Sequence, residues 1–260
     1  MATGAERYSV ETISAIHRWT ADLFSFRITR QQDFRFVAGQ YARLGFAAAA
    51  EIVWRPYSMV SASAERQLEF YSTIVPGGAF STQLAAAEVG DEILVDRRSF
   101  GFLTLAAFAD GRDLWMLASG TGLGPFVAIL REAEVWRKFE RLIVVHSVRT
   151  EKELAYRETI AALAATPPVA GADGRIATLR YLPVVTRETV PGALGERITV
   201  LLDDGRLEQH AGATIEPAGS RVMVCGNPEL AKALRARLEA RGLAISHRGA
   251  PGQLAFENYW

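Results

Sequence analysis

The chain has 260 residues with 29 basic and 29 acidic side chains, so its formal net charge is zero. That length suits two domains, a 49% hydrophobic content supports packed cores, and the charge balance argues against a general nucleic-acid binder. One cysteine, Cys225, excludes an internal disulfide and a four-cysteine iron–sulfur cluster, and no metal site is expected. No apolar run approaches the roughly 20 residues of a membrane span, and no signal-type stretch follows the first residues. We therefore expect a cytoplasmic protein with no membrane partner.

Short strands separated by turns are predicted for residues 1–106. Phe24, Phe26 and Ile28 alternate with Ser25 and Arg27, which is the period of a strand with one buried face. Similar segments cover residues 8–16, 40–46, 57–61, 67–75 and 91–96. Short strands at this spacing predict an antiparallel barrel or sandwich, and we take the barrel as the expected fold of this domain.

The pattern changes after a short linker at residues 106–112, and we place the domain boundary between residues 106 and 107. Near-continuous apolar runs, typical of parallel strands covered on both faces, lie at residues 114–118, 142–145 and 222–224. Segments with helical spacing lie at residues 125–136, 151–165 and 228–241. This alternation predicts a doubly wound parallel α/β domain over residues 107–260.

A glycine-rich turn follows the first apolar strand of the second domain. It contains Gly120 and Gly122 and ends at Pro125, which suits the first turn of a helix. Such a turn lets the backbone approach a phosphate, and the helix start offers free N–H groups. Because Pro125 stands where the dinucleotide fingerprint has its third glycine, the turn by itself is also compatible with a tight strand–helix connection.

Basic and hydroxyl side chains follow the next strands of this domain. Arg149 stands where an NAD-binding fold often has a carboxylate that binds ribose, and Thr186, Arg187 and Arg197 come further along. Guanidinium and hydroxyl groups suit an additional 2′-phosphate, which favours NADP over NAD. Each arginine alone is more often a solvated surface charge, so the prediction depends on the set.

A second constellation lies in the first domain, where residues 54–58 read Trp-Arg-Pro-Tyr-Ser. We expect it at the start of a barrel strand. Its Arg, Tyr and Ser supply a phosphate clamp, a flat stacking surface and a small hydroxyl donor, which are the parts needed to hold a flavin dinucleotide.

Five motifs occur in order: Arg55-Pro-Tyr-Ser58, Gly78-Ala-Phe-Ser-Thr82, Gly120-Thr-Gly-Leu-Gly-Pro125, Cys225-Gly-Asn-Pro228 and Glu257-Asn-Tyr-Trp260. With them, essentially the whole chain resembles the bacterial ferredoxin (flavodoxin)–NADP reductases. The resemblance implies an FAD-binding barrel, an NADP-binding α/β domain and a C-terminal tail that returns to the flavin.

The resemblance also implies site residues. Arg55 would bind the FAD pyrophosphate, Tyr57 would stack on the isoalloxazine ring, and Trp260 would stack on the adenine. Further FAD contacts would come from Pro56, Ser58, Tyr71, Ala79, Phe80, Ser81 and Thr121. NADP would be held by Gly120, Gly122, Arg149, Thr186, Arg187, Arg197, Cys225 and Gly226.

The implied chemistry is hydride transfer between nicotinamide C4 and flavin N5, with single-electron exchange to a ferredoxin or flavodoxin. Ser58, Cys225 and Glu257 would be the polar groups nearest the reacting atoms, with Ser58 and Glu257 able to relay a proton. A monomer is expected. Lys232, Arg235, Arg237, Arg241 and Arg248 give a basic C-terminal region towards which an acidic carrier could be steered.

Two alternatives stay open on the sequence alone. One is an NAD(P)H-dependent flavin or oxygenase reductase of the same superfamily, which a preference for NADH would favour. The other is a non-catalytic flavin-binding protein, which would bind the cofactor without turnover.

Overall fold

The computed structural model describes residues 7–47, 52–169 and 176–258. Its first part is a six-stranded antiparallel sheet in the order β4-β3-β6-β1-β2-β5. The strands are β1 (Tyr8–Arg18), β2 (Leu23–Ile28), β3 (Tyr41–Ala47), β4 (Ile52–Ser58), β5 (Leu68–Thr73) and β6 (Glu92–Phe100). A helix, α1 (Ala79–Ala86), lies between β5 and β6.

The two edge strands of this sheet approach each other, so the sheet has the form of a barrel. Met59 bridges to Phe70, and the Val60 N–H donates to the Glu69 carbonyl oxygen over 2.8 Å. The interior is rich in aromatic side chains, among them Phe24 and Phe26, which are almost completely buried. The predicted antiparallel barrel is therefore confirmed.

Strand β4 lies earlier in the chain than its pattern indicated. It runs from Ile52 to Ser58 instead of starting near Tyr57, so the Arg-Pro-Tyr-Ser segment ends the strand and does not start it. Pro56 masked this strand in the sequence, because proline cannot donate to a sheet ladder. It is tolerated here since β4 is an edge strand of the sheet.

The second part is a five-stranded parallel sheet in the order β11-β10-β7-β8-β9. Its strands are β7 (Asp113–Ser119), β8 (Arg141–Val148), β9 (Thr178–Val185), β10 (Ser220–Gly226) and β11 (Leu254–Asn258). The helices are α2 (Gly124–Leu130), α3 (Ala133–Lys138), α4 (Arg157–Ala165), α5 (Ile198–Asp203), α6 (Arg206–Ala211) and α7 (Pro228–Ala240).

Helices cover both faces of the parallel sheet. Successive residues of β7 point to opposite faces, as in any strand. Leu114 and Met116 pack in the core cluster that contains residues of α2, α3 and α4. Trp115 and Leu117 pack in the cluster that contains residues of α5, α6 and α7. The prediction of a doubly wound sheet is confirmed.

Two helices predicted as continuous are interrupted. The segment 125–136 divides into α2 and α3 at an extended Glu132, and the indole of Trp136 donates to the Leu130 carbonyl over 2.8 Å. The segment 151–165 divides at Tyr156, whose φ of 60° is left-handed. Periodicity did not predict α1, α5, α6 or β11, which are short.

A buried carboxylate joins the two parts of the molecule. Glu69 on β5 accepts a hydrogen bond from the Tyr156 hydroxyl over 2.9 Å and is paired with Arg131 at 3.0 Å and Arg27 at 3.2 Å. Tyr156 and Arg131 belong to the α/β part, whereas Arg27 belongs to the barrel. We call these four residues the Glu69 network.

Within the described ranges, no helix combines the length and apolar character needed to cross a bilayer.

Candidate functional site: a cavity between the barrel and the parallel sheet

A cavity of about 250 Å³ opens between the end of β4, β5, α1 and the loop after β7. Nine of the ten residues expected to contact FAD line it: Arg55, Pro56, Tyr57, Ser58, Tyr71, Ala79, Phe80, Ser81 and Thr121. The tenth, Trp260, lies outside the described residues. Sequence reasoning missed the lining residues Ser72, Thr73, Val75 and Gly78.

Tyr57 is held so that its ring forms part of the cavity wall. Its hydroxyl shares a hydrogen bond of 3.3 Å with Ser72 Oγ, and its ring centroid lies 5.7 Å from that of Phe80. Burial raises the pKa of the Tyr57 phenol, so the ring stays neutral at ordinary pH. The result is a fixed, flat surface of the kind on which an aromatic ring system stacks.

Groups that can bind an anion lie at the same cavity. The exposed Arg55 guanidinium makes a hydrogen bond of 2.8 Å to its neighbour's carbonyl, at Trp54. Helix α1 begins after Gly78, which is its N-cap residue. Glycine has no side chain, so the N-cap provides no side-chain acceptor for the first N–H groups of the helix. Ser81 Oγ accepts from the Val75 N–H over 3.0 Å and fixes the turn before the helix. Charged and backbone donors of this kind suit a pyrophosphate.

Tyr71 differs from the other lining residues because its buried hydroxyl has no hydrogen-bond partner among the described residues. Burial raises the pKa of this phenol well above its ordinary value. A buried donor without a partner is costly in a folded protein. The Tyr71 side chain lines the cavity, where its ring adds a second aromatic surface.

The three residues expected near the reacting atoms come together at the edge of this cavity. Ser58 Oγ on β4 donates to Glu257 Oε1 on β11 over 3.0 Å. Cys225, fully buried at the end of β10, is the register partner of Glu257. Burial raises the pKa of the Glu257 carboxyl to about 7, and the hydrogen bond from Ser58 partly opposes this rise. Glu257 is therefore no exposed tail carboxylate but a half-buried acid–base group.

Gly101 leaves the space that the Glu257 carboxyl occupies. A Cβ built on Gly101 would lie 2.6 Å from Glu257 Oε2, and the φ of Gly101 is +98°, which side chains rarely adopt. The barrel thus contributes both a hydrogen-bond donor and a side-chain-free contact to a residue of the last strand.

The glycine-rich loop packs directly against the end of β10. A Cβ on Gly122 would lie 2.2 Å from the Cys225 carbonyl oxygen, and one on Gly226 would lie 2.3 Å from Ser119 Oγ. Ser119 Oγ also accepts from the Asn227 N–H over 2.9 Å. Helix α2 begins at Gly124 with Pro125 in its first turn, as expected. The loop and the end of β10 therefore form one surface that any side chain at Gly122 or Gly226 would separate.

The residues expected at the adenosine end of NADP lie after β8 and β9. Thr186 Oγ1 donates to the Val148 carbonyl over 3.1 Å, and the Arg187 N–H donates to the Arg149 carbonyl over 2.9 Å. The exposed Arg149 guanidinium pairs with Glu153 at 3.0 Å. These contacts bring Arg149, Thr186 and Arg187 together, while the exposed Arg197 stands directly before α5.

Sequence reasoning missed His146, which is completely buried on β8 and contacts the loop carbonyl of Gly120. The sequence offered one sign of it. A histidine that directly follows a buried apolar run needs hydrogen-bond partners for both of its ring nitrogens.

Comparisons with known proteins identify both halves of the chain. A family model for the oxidoreductase FAD-binding domain matches residues 9–97, and one for the oxidoreductase NAD-binding domain matches residues 116–236. Together they span most of the described structure, the first on the barrel and the second on the parallel sheet.

Curated relatives match over almost the full chain. Ferredoxin–NADP reductase A of Sorangium cellulosum is 39% identical over 251 residues, which is 96% of this chain and 89% of the relative. Ferredoxin–NADP reductase of Azotobacter vinelandii is 35% identical, with 96% of each chain covered. A solved ferredoxin–NADP⁺ reductase from Neisseria gonorrhoeae with bound FAD and NADP superposes with a TM-score of 0.90, at 35% identity over 98% of this chain and 99% of that one. The chain belongs to the bacterial ferredoxin–NADP reductase family.

Proposed function

We propose that this protein is an FAD-dependent reductase that exchanges a hydride with NADP(H) and single electrons with a ferredoxin. The observation that carries this proposal is the cavity at which Arg55, Tyr57 and Ser58 of the barrel meet Thr121 of the glycine-rich loop. One cavity lined by both parts of the chain can hold a flavin against a nicotinamide ring. The family of the chain supplies the reaction.

The residues present fit FAD, since the cavity combines the flat phenol of Tyr57, the exposed guanidinium of Arg55 and the small hydroxyl of Ser58. We propose that Arg55 and the start of α1 bind its pyrophosphate and that Tyr57 stacks on its ring. Bound FAD supplies the chemistry of the protein, because it accepts a hydride at N5 and releases electrons one at a time. Ser58 would hydrogen-bond to that nitrogen through its hydroxyl.

Glu257 is suited to hold and move a proton at this place. With a pKa of about 7, its carboxyl is protonated or ionised with similar ease near neutral pH. Its hydrogen bond from Ser58 Oγ gives a path for a proton between Glu257 and the cavity. Cys225, beside Glu257 on the neighbouring strand, would contact the nicotinamide near C4.

The residues at the ends of β8 and β9 favour NADP over NAD. Arg149 and Arg187 lie on adjacent loops joined by a backbone hydrogen bond, and Thr186 adds a hydroxyl. We propose that these residues and Arg197 bind the 2′-phosphate and adenosine. Charged forks of this kind bind phosphate oxygens in pairs.

We propose a ferredoxin, or a flavodoxin in its place, as the carrier, with the enzyme acting as a cytoplasmic monomer. Only some residues of the basic C-terminal region are available to a carrier, because others are paired with acidic side chains of this chain. Arg237 and Arg241 are engaged with Asp203 at 2.8 Å and Glu208 at 3.1 Å. Arg235 pairs with Glu239 at 3.3 Å, and it lines a groove of about 840 Å³ together with Lys232 and Arg248.

Arg248 lies 5.7 Å over the ring of Phe102, whose exposed fraction is 69%. An exposed aromatic ring beside basic groups suits an acidic carrier. Reversal of charge at Lys232 and Arg248 to Glu should slow reduction of a ferredoxin and leave reduction of ferricyanide unchanged. The same reversal at Arg35 and Arg66, which line a separate open cavity on the barrel, is the matched control. An equal loss of ferredoxin reduction in the two double variants would contradict this docking surface.

We also propose residues 106 and 107 as the domain boundary. A short 3-10 turn, Leu105–Ala107, lies within the segment that connects β6 to β7. Separate expression of residues 1–106 with FAD and of residues 107–260 with NADP⁺ would test it. A barrel that stays unfolded until further residues are added would move the boundary.

The experiment that tests the function is an anaerobic titration with NADPH and then NADH, followed by flavin absorption. We expect a yellow protein that NADPH bleaches far more readily than NADH, and that then reduces a ferredoxin. A protein that remains colourless after addition of FAD would refute the proposal. Equal reduction by NADH would favour an oxygenase reductase, and flavin binding without turnover would favour a non-catalytic protein.

A further inference from the structure

His146 is a buried titratable group that the proposed function does not use. It lies near the carboxyl end of β8 and has no exposed surface. Its Nε2 lies 3.2 Å from the carbonyl oxygen of Gly120, in the glycine-rich loop, and its Nδ1 lies 3.1 Å from the hydroxyl of Tyr181 on β9. The ring thus connects the loop to a neighbouring strand through the interior of the sheet.

The partners of His146 determine which nitrogen carries its proton. Burial lowers the pKa of His146 to about 4, so the ring is neutral with one proton at pH 7. A carbonyl oxygen only accepts hydrogen bonds, so Nε2 carries the proton and donates to Gly120. Nδ1 then accepts, and the Tyr181 hydroxyl donates to it. Burial raises the pKa of Tyr181, which keeps this hydroxyl a donor.

This hydrogen bond also orients the backbone of the glycine-rich loop. The peptide between Gly120 and Thr121 is trans, as are all the described peptide bonds, so its carbonyl and its N–H point in opposite directions. Because the carbonyl points to His146, the Thr121 N–H points away from the sheet interior. Thr121 stands in the first turn of a short 3-10 helix, where no carbonyl of that helix accepts its N–H.

Gly120 gives this peptide the freedom to turn over. Its φ is +53°, and glycine, which has no Cβ, exchanges such a conformation for others at little steric cost. If the peptide turned, the carbonyl dipole would face the surface that we propose for the phosphates of NADP. A carbonyl oxygen there would repel an anion that a backbone N–H attracts.

We propose that His146, oriented by Tyr181, is a positioning residue for the nicotinamide dinucleotide. It holds the Gly120 carbonyl inside the sheet and so leaves the Thr121 N–H available to the pyrophosphate. This inference depends on the proposed binding of NADP(H) at the same loop.

The test measures binding of NADP⁺ to the flavin-loaded protein by titration calorimetry. We expect His146→Leu to raise the dissociation constant for NADP⁺ by roughly 10-fold, since a buried carbonyl loses its donor. Adenosine 2′-monophosphate carries the 2′-phosphate and lacks the pyrophosphate, so its affinity should stay unchanged. His146→Gln keeps an N–H donor near Gly120 and should restore most of the affinity for NADP⁺.

Ser220→Ala is the matched control at the opposite end of the sheet. Ser220 is also completely buried, and its hydroxyl donates to the Thr214 carbonyl over 3.1 Å. This variant should lose stability and keep full affinity for NADP⁺. Equal loss of NADP⁺ affinity in Ser220→Ala and His146→Leu would overturn the positioning role, as would equal loss for both ligands in His146→Leu.

Two measurements keep the test decisive if His146→Leu does not fold. Tyr181→Phe should weaken NADP⁺ binding by roughly 3-fold, because Nδ1 then lacks its donor. Nitrogen-15 NMR of the native protein should show the proton of His146 on Nε2, and a proton on Nδ1 would refute the inference. Native protein that fails to bind NADP⁺ would instead refute the proposed function.

Discussion

The two nucleotide-binding regions of this chain differ in that one is formed mainly by side chains and the other mainly by backbone. The cavity of the barrel is lined by side chains that strands and one helix present, such as Arg55 and Tyr57. The loop region of the parallel sheet depends on backbone, where Gly122 and Gly226 allow two segments to touch. A side-chain site loses single contacts when it is mutated, whereas a backbone site loses its shape. Substitutions should therefore have graded effects in the barrel and steep effects in the loop.

The largest effect is expected for Gly122→Ala. Its Cβ would lie 2.2 Å from the Cys225 carbonyl oxygen, so the loop and β10 must separate. Displacement of a binding group by about 1 Å lowers rates by roughly 100-fold, and flavin reduction by NADPH should fall by that order in stopped-flow experiments. Gly195→Ala is the control, because no atom lies within 4 Å of its Cβ and its φ is not left-handed, so it should lose far less. Similar losses in both would show that contact with β10 is unimportant.

Arg55→Ala should act on FAD and leave the loop intact. Removal of one charged hydrogen-bond donor should weaken FAD binding by roughly 10- to 100-fold, measured by flavin fluorescence during dialysis. The affinity for NADP⁺ should not change. Arg97 lies on the same barrel and pairs with Asp33 at 3.7 Å, so Arg97→Ala is the control and should retain FAD as the native chain does. Retention of FAD by Arg55→Ala would remove Arg55 from the pyrophosphate site.

A smaller effect, specific to pH, is expected for Glu257. Its carboxyl is protonated below a pKa of about 7 and ionised above it, so proton donation through Ser58 is available mainly below pH 7. Reduction of NADP⁺ by reduced ferredoxin should therefore decline as pH rises through 7. Glu257→Gln should show a lower rate, by a few fold, that is flat in this range. A native profile without a transition near pH 7 would contradict the relay.

The smallest expected effect concerns the Glu69 network. Tyr156→Phe removes the hydrogen bond of 2.9 Å to Glu69 and should lower stability by about 1 kcal/mol. The melting temperature should fall by about 2–4 °C in calorimetry. Tyr8→Phe, which lies outside the network on β1, should melt as the native chain does. An unchanged melting temperature in Tyr156→Phe would mean that Arg131 and Arg27 satisfy Glu69 alone.

Sequence patterns predicted most of this architecture because strand and helix periods follow from burial on one or two faces. They failed where a tertiary contact decides local structure. Tyr156 divides a predicted helix at a left-handed residue whose hydroxyl contacts Glu69 on the other part of the chain. Strand β11 was missed because its apolar run, Leu254 to Phe256, is only three residues long and is followed by polar side chains.

The candidate site was predictable to the extent that motifs carry it. The resemblance gave residues that line the cavity, and the structure brings nine of them together. It gave no means to find His146, whose role depends on distances to Gly120 and Tyr181. Nor did it show that Glu257 is half-buried, since the contacts that cover it come from Gly101 and Ser58 on the barrel.

The Glu69 network also limits how freely the two parts of this enzyme can be exchanged with those of other proteins. Glu69 and Arg27 come from the barrel, whereas Arg131 and Tyr156 come from the α/β part. A buried ion pair adds little net stability, but loss of one partner leaves the other charge uncompensated. A hybrid that joins this α/β part to a barrel with no acid at position 69 would bury Arg131 without its main partner. We therefore expect this α/β part to form a stable hybrid only with a barrel that carries an acid at the matching position.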